Sequence, residues 1–248
     1  REAVQLAFEK DKEYGYKHVA ALSGGLDSRM TVWVAHDLGY TDQLNLTFSQ
    51  SNYLDETIPK QIAADLKHEW MFKALDNGNF LKNIDETTQI TGGNVIYYGS
   101  AHGLSLYNYL NFEKLGILHS GQLGDVIIGT YASTTNPDNS YVFGDGAFSK
   151  KLLHAIKTLT FKEQYPNEEI FKMYIRGFYG INLGLLGILE HTETYSPFYD
   201  IDFMEFALSI PLKLRFNHYI YKKWIITKYP KAANYIWEKD KVPVNYPY

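Results

Sequence analysis

SGGLDS, residues 23–28, follows the short apolar run HVAAL at 18–22 and precedes RMTVWVAHDL at 29–38, whose apolar residues have helical spacing. This order predicts a strand, a tight turn and a helix. The two adjacent glycines allow the backbone to turn sharply and to approach a ligand closely, because neither carries a Cβ. With the flanking serines and the free N–H groups at the start of the helix, they predict a cradle for an anion. The alternative is a plain turn between a strand and a helix.

Asp27 is the residue of this turn that an anion cradle alone does not explain. A carboxylate repels a phosphate group unless a cation lies between them, so the turn is interpreted as a pyrophosphate loop that works with Mg²⁺. It is not a Walker A loop, because the pattern G-x-x-x-x-G-K-[ST] is absent.

The composition describes an ordinary globular protein and excludes several classes of site. The 248 residues are enough for one large domain, or for a core with a helical subdomain. A net charge of −4 gives no reason to expect nucleic acid or an anionic membrane as a partner. The absence of cysteine excludes disulfides, Cys-ligated zinc and thiol catalysis, and it fits a cytoplasmic location. No apolar run reaches the roughly 18 residues of a membrane span, and no signal peptide is recognisable.

Strands and helices alternate along residues 1–130. The predicted elements are a helix over 1–17, a strand over 18–22, a helix over 28–39, a strand over 43–48, a helix over 55–67, a strand over 68–72, a helix followed by a long loop over 77–100, a helix over 101–115 and a strand over 116–120. Such alternation predicts an α/β, doubly wound and mainly parallel sheet with helices on both faces. Residues 131–248 are predicted to form a helical part that packs on it, after a flexible excursion over 131–146. The chain begins with Arg1 instead of Met, so we expect it to be a piece of a longer protein.

A second loop, SGQLGD at 120–125, repeats the pattern of the first one. A buried strand is followed by Ser-Gly and then by a carboxylate at the start of a helix. In an open parallel sheet, ligands bind at the carboxyl ends of neighbouring strands, so the two loops are expected to converge. Asp27 and Asp125 would then be paired oxygen ligands for Mg²⁺. The alternative for Asp125 is a helix N-cap.

Over nearly its whole length the chain resembles the C-terminal synthetase domain of the asparagine synthetase family, an ATP pyrophosphatase of the kind shared with β-lactam synthetases. The resemblance rests on motifs that occur in the order of that family: SGGLDS at 23–28, TFS at 47–49, SGQLGDVIIGTY at 120–131, SPFYD at 196–200 and the lysine pair at 222–223. It implies a doubly wound sheet of the adenine-nucleotide alpha-hydrolase-like kind with a helical C-terminal part. It also implies that ATP activates a substrate carboxylate as an acyl-adenylate, that pyrophosphate leaves, and that an amine or ammonia then forms the amide. The family carries a glutaminase domain, which here would belong to the full-length protein.

The resemblance also implies roles for individual residues. Those that match the nucleotide-binding positions are Ser23, Gly24, Gly25, Asp27 and Ser28 in the pyrophosphate loop, Leu22, Phe48 and Ser49 around adenine, and Ser120 and Gly121 at the ribose or adenylate. Asp125 matches the second magnesium carboxylate. Lys223 matches the lysine that stabilises charge on the α-phosphate in the transition state, a task that suits a fixed cation in a dry site. Lys222 is an alternative register, and a solvated helix lysine is the alternative interpretation of Lys223.

The departures from the family lie on the substrate side. Gln122 occupies the catalytic position of a family glutamate, and an amide cannot take up a proton at neutral pH. Val126 replaces the next glutamate, and YSPFYD at 195–200 lacks the arginine of the family motif. The substrate is therefore expected to be aspartate or a related acid. One alternative is a nucleotide-binding or regulatory module that has lost catalysis. Another is ATP pyrophosphatase chemistry of the tRNA or sulfur-transfer type, which the lack of cysteine and of a basic patch disfavours.

Overall fold

The computed structural model describes residues 1–13, 17–95, 97–129, 131–135, 151, 153–156 and 165–247. Most of the excursion predicted over 131–146 lies outside these residues. Within the part of the chain that is described, no helix combines the length and the apolar character needed to cross a bilayer.

A five-stranded parallel sheet in the order β3-β2-β1-β4-β5 forms the centre of the protein. Its strands are β1 (Lys17–Ala21), β2 (Gln43–Ser49), β3 (Glu69–Ala74), β4 (Leu115–His119) and β5 (Thr194–Tyr195). From β1, the chain adds β2 and then β3 on one side of the sheet, and afterwards adds β4 and β5 on the other side of β1. The predicted doubly wound α/β fold is confirmed, and the reversal of strand order lies between β1 and β4.

Helices cover both faces of this sheet. The α-helices are α1 (Glu2–Glu9), α2 (Leu26–Asp37), α3 (Leu54–Leu66), α4 (Ile84–Thr91), α5 (Tyr97–Tyr107), α6 (Gly124–Ile127), α7 (Leu153–Ile156), α8 (Glu168–Lys172), α9 (Leu186–Leu189), α10 (Ile201–Ser209), α11 (Leu212–Arg215), α12 (Tyr219–Lys228) and α13 (Pro230–Ala233). A π-helix follows α8 at Met173–Phe178, and a short antiparallel hairpin near the C-terminus pairs β6 (Ile236–Trp237) with β7 (Val242–Pro243).

Side chains of β1 alternate between two cores, as expected for a strand buried on both faces. Ala20 packs with apolar residues of α1, α2, α3 and α12, whereas Val19 packs with Leu106 of α5 and Ile188 of α9. Both strand residues are fully buried. Tyr221 and Ile225 of α12 belong to the same core as Ala20, so this C-terminal helix packs on the first half of the chain. The division at residue 130 stays a prediction.

Several predicted elements differ in their bounds. The helix predicted over 1–17 ends at Glu9 and continues as a 3₁₀ turn over Lys10–Glu13. The stretch 77–100 forms a 3₁₀ turn and two helices instead of one helix and a long loop, because Gly92 adopts a left-handed conformation that ends α4. The helix predicted over 101–115 ends at Tyr107. β5 and the C-terminal hairpin were missed, because strands of two residues are too short to show a period.

Candidate functional site

The first loop joins β1 to α2 and is held by its own serines. The Ser23 N–H donates to Ser28 Oγ at 3.0 Å, and the two hydroxyl oxygens are 2.9 Å apart. The Gly24 N–H donates to the carboxylate of Asp55 at 2.8 Å. α2 begins without a side-chain cap, so the N–H groups of its first turn have no intrahelical partner and can bind an anion.

The second loop joins β4 to α6 and lies directly against the first. A Cβ on Gly121 would be 2.3 Å from Ser28 N, and a Cβ on Gly124 would be 2.4 Å from Asp27 Cγ. With contacts this short, a side chain at either glycine would force the opposite loop to move. The two loops, which were predicted to converge, are therefore packed against one another at the carboxyl ends of β1 and β4.

Asp27 and Asp125 are the acidic residues of these two loops. Asp27 Oδ1 is buried without a hydrogen-bond partner among the described residues, although the carboxyl group as a whole interacts with the Asp125 N–H and the Tyr221 hydroxyl. Burial, and then the charge of Asp125, raises the pKa of Asp27 to about 8. Burial also raises the pKa of Asp125. Two neighbouring carboxylates, one with an oxygen left unpartnered, form a donor set that fits Mg²⁺.

A cleft of about 720 Å³ opens beside these carboxylates at the carboxyl ends of the strands. The predicted nucleotide-binding residues that line it are Leu22, Ser23, Gly25, Asp27, Ser28, Phe48, Ser49, Ser120 and Gly121, together with Gln122 and Asp125. Gly24, the remaining residue of this set, is not part of the cleft lining. A Cβ on Gly24 would lie 2.8 Å from the Cβ of Glu238. At the far end, Phe80 and His102 also line the cleft and their rings make a T-shaped contact. Sequence patterns missed both aromatic residues, because neither belongs to a motif.

Gln122 has a structural contact in place of the acid–base role of the family glutamate. Its side-chain Nε2 donates to the backbone carbonyl oxygen of Ile181 at 2.7 Å, and the backbone carbonyl oxygen of Gln122 accepts from Ser196 Oγ at 2.9 Å. The side chain thus joins the second loop to the 3₁₀ segment Ile181–Leu185, whose first residue lines the cleft.

Lys223 does not reach the cleft. Its side chain is on the exposed side of α12, with Nζ 5.6 Å from the ring centroid of Tyr219. The buried side of this helix is formed by Tyr221 and Ile225, and successive helical residues are rotated by about 100°. Lys222, the alternative register, has its Nζ 3.2 Å from Asp240 Oδ2. Neither lysine lines the cleft, and the role of Lys223 at the α-phosphate stays a prediction.

Lys239, which the sequence interpretation missed, is an exposed lysine in the turn of the β6–β7 hairpin, outside the lining of the cleft. Its charge opposes the rise in the pKa of Asp27, and for Asp125 it acts in the same direction as the charge of Arg176 but less strongly. The hairpin is fastened to the first loop, because the Glu238 N–H donates to the Gly24 carbonyl oxygen at 3.3 Å. Lys239 lies far along the chain from either loop, so no local pattern could have indicated it.

Arg29 of α2 is the second fastening of this hairpin. Its guanidinium is fully buried and donates to the carbonyl oxygens of Gly24, Ala232, Tyr235 and Ile236 at 2.6–3.3 Å. Burial lowers its pKa to about 10, so the group remains charged at neutral pH. One buried cation thus connects the first loop with the chain that carries Lys239.

Comparisons with known proteins add a likeness of fold. No model of a known protein family matches the chain, and no curated protein matches it. Among solved structures, NMN synthetase from Francisella tularensis is 16% identical, with a TM-score of 0.38, over 83% of this chain and 90% of that one. NH3-dependent NAD synthetase from Campylobacter jejuni, solved with the nitrate ion, is 16% identical with a TM-score of 0.39, over 86% of this chain and 93% of that one. Likeness at this level carries no argument about function, and the fold class rests on the strand pairing.

Proposed function

We propose that the chain is an ATP-dependent, AMP-forming ligase that joins a carboxylate to an amine or to ammonia. The observation that carries this proposal is the pair of loops in contact, with a buried and unpartnered carboxylate oxygen of Asp27 beside the cleft. A plain turn between a strand and a helix does not require a second carboxylate in the same place. A buried carboxylate oxygen without a hydrogen-bond partner costs free energy that a bound cation would recover.

Each end of the cleft has a role in this proposal. Asp27 and Asp125 would hold Mg²⁺, which when bound neutralises the charge of the phosphate oxygens. The N–H groups at the start of α2 and the hydroxyls of Ser23 and Ser28 bind the pyrophosphate. Leu22, Phe48 and Ser49 hold the adenine end, with Ser120 and Gly121 at the ribose. Lys239, which is exposed in the hairpin turn outside the lining of the cleft, would supply the cation that stabilises charge at the α-phosphate once ATP is bound.

The proposed reaction has two steps. A carboxylate oxygen of the substrate attacks the α-phosphorus, the bond to the bridging oxygen breaks, and pyrophosphate leaves. The amine nitrogen then attacks the acyl carbon, AMP leaves and a proton is released. The substrate is proposed to be aspartate or a related acid, and a glutaminase domain in a longer protein is proposed as one source of ammonia.

Pyrophosphate release from Mg-ATP tests this function. We expect release that depends on an added carboxylate and that Asp27→Asn abolishes. Asp37→Asn is the matched control, because Asp37 is at the other end of the same helix and pairs with Arg1 on the surface. Absence of release with every member of a broad panel of carboxylic acids would contradict the proposal.

The contact of Gln122 with Ile181 favours one second candidate, a nucleotide-binding or regulatory module without catalysis. An amide held by a backbone carbonyl cannot act as the acid or base that the family glutamate supplies. This candidate predicts that calorimetry detects binding of ATP or AMP, that no turnover occurs, and that Gln122→Glu does not restore it.

A further inference from the structure

Asp11 forms a buried cluster with two histidines behind the second loop. The residue lies in the 3₁₀ turn that follows α1 and is 1% exposed. Its Oδ2 is 2.6 Å from Nδ1 of His18 in β1 and 2.5 Å from Nε2 of His119, the last residue of β4. Its Oδ1 accepts the N–H of Ile117 at 2.6 Å. One carboxylate therefore contacts both central strands.

An irregularity of β4 explains why a carboxylate is needed here. Lys17 pairs with Leu115, but Val19 pairs with Leu118, so β4 has one residue more than β1 over the same length. Such a bulge interrupts the ladder of backbone hydrogen bonds and leaves an N–H group to be satisfied elsewhere. Asp11 accepts the N–H of Ile117 at this point. Gly116 makes room for it, since a Cβ there would be 2.5 Å from Asp11 Oδ1.

The three side chains are of types that bind metal ions, but their spacing is that of hydrogen bonds. Ligand atoms bound to one ion at about 2.0–2.1 Å, with angles near the tetrahedral value, are more than about 3 Å apart. At separations of 2.5 and 2.6 Å, the angle at an ion would be only roughly 80°. Charge-assisted hydrogen bonds to one oxygen account for these separations. The ring of Phe8 stacks on His119 at 3.7 Å and closes the cluster.

We propose that Asp11 is a positioning residue for the second loop. By holding the bulge and the ring of His119, its carboxylate determines where Ser120 leaves the sheet and hence where Asp125 lies relative to Asp27. The position matters because Gly121 and Gly124 leave no space between the two loops. This role deepens the proposed function, and its effect on magnesium and ATP rests on that function.

Two variants disturb the cluster in different ways. Asp11→Asn keeps the shape but turns one acceptor into a donor that opposes a histidine N–H group. Gly116→Ala keeps Asp11 in the sequence, but the added methyl group pushes the Asp11 carboxylate away from the bulge. Val4→Ala is the control, because Val4 is a buried residue of α1 outside the cluster, so its loss weakens the packing of this segment alone.

The first readout does not depend on any ligand. Nuclear magnetic resonance of wild-type His119 should show the tautomer protonated at Nε2, since Nε2 faces the Asp11 carboxylate and Nδ1 is buried with no hydrogen-bond partner among the described residues. In both cluster variants, we expect hydrogen exchange to become faster at the amides of Ile117 and of residues 120–125. Val4→Ala should leave these amides protected even where it lowers the melting temperature by a similar amount. Unchanged exchange there in both variants would overturn the proposal. So would a stoichiometric metal in the wild-type protein that Asp11→Asn removes.

The second readout measures the affinity for Mn²⁺-ATP and, separately, for AMP without metal. We expect both cluster variants to bind Mn²⁺-ATP about tenfold more weakly, with a much smaller change for AMP and none in Val4→Ala. Equal weakening by Val4→Ala would reduce Asp11 to a stabilising residue and overturn the proposal. If the wild-type protein binds neither nucleotide, the proposed function fails, and the exchange data still decide whether Asp11 positions the loop.

Discussion

Gly124 packs against the carboxyl group of Asp27, and a Cβ at this glycine would be 2.4 Å from Asp27 Cγ and 2.7 Å from its Oδ1. The first carboxylate of the site is thus held in place by the loop that carries the second one. Moving either loop changes the distance between the two acidic groups.

Gly124→Ala is expected to displace the carboxylate of Asp27. Because the neighbouring atoms include a buried carboxyl group, the added methyl should weaken binding of Mg-ATP at least about tenfold, with a modest loss of stability. Titration calorimetry measures the affinity. Gly184→Ala is the matched control, since a Cβ at Gly184 has no heavy atom within 4 Å. Equal affinities of the two variants would contradict the close packing.

The raised pKa of Asp27 predicts a dependence of stability on pH. Its pKa is about 8 in the folded protein and 3.8 in the unfolded reference, so the folded state binds more protons between these values. The free energy of unfolding should therefore fall as the pH rises, and the contribution is lost through about pH 8. His68, whose pKa burial lowers to about 4, acts with the opposite sign, but only below about pH 6.5.

Urea denaturation in EDTA between pH 6.5 and 8.5 isolates the contribution of Asp27. We expect the wild-type midpoint to fall over this range and that of Asp27→Asn to change much less. Added Mg²⁺ should restore the wild-type midpoint at pH 8, where the carboxylate is charged. Parallel pH profiles for the two proteins would show that Asp27 titrates normally.

Lys239→Ala is expected to reduce pyrophosphate release far more than Lys223→Ala. Removal of a cation that stabilises transition-state charge costs about 10²–10³ in kcat, whereas an exposed lysine over Tyr219 has no such role. Steady-state kinetics on both variants makes the comparison. A loss confined to the Lys223 variant would instead support the assignment from the family resemblance.

Arg29→Lys is expected to destabilise the protein by about 2–4 kcal/mol, even though the charge is kept. A lysine presents its donors from one nitrogen and cannot reach all four carbonyl oxygens that the guanidinium contacts. Chemical denaturation measures the loss. Arg1→Lys is the control, because Arg1 pairs with Asp37 on the surface. A change below about 0.5 kcal/mol would mean that Arg29 does not fasten the hairpin.

The two Asp-bearing loops could be predicted because their parts are local. SGGLDS and SGQLGD each follow a buried strand and precede a helix within a few residues, so turn chemistry and periodicity identified both. Whether Lys222 or Lys223 faces the sheet could not be predicted in this way. A helix places neighbouring residues about 100° apart, and which side is buried depends on the partners of Tyr221 and Ile225.

The sequence by itself determined the alternation of strands and helices, the parallel sheet and the two Asp-bearing loops. Each of these depends on residues close together in the chain. Only the tertiary structure decided that the hairpin that carries Lys239 is fastened to the first loop, that the Gln122 amide bonds to Ile181, and that Asp11 contacts His119 across 108 positions. The physical reason is that charge interactions and buried hydrogen bonds depend on distance in space and on exclusion of water. Neither is set before the chain has folded.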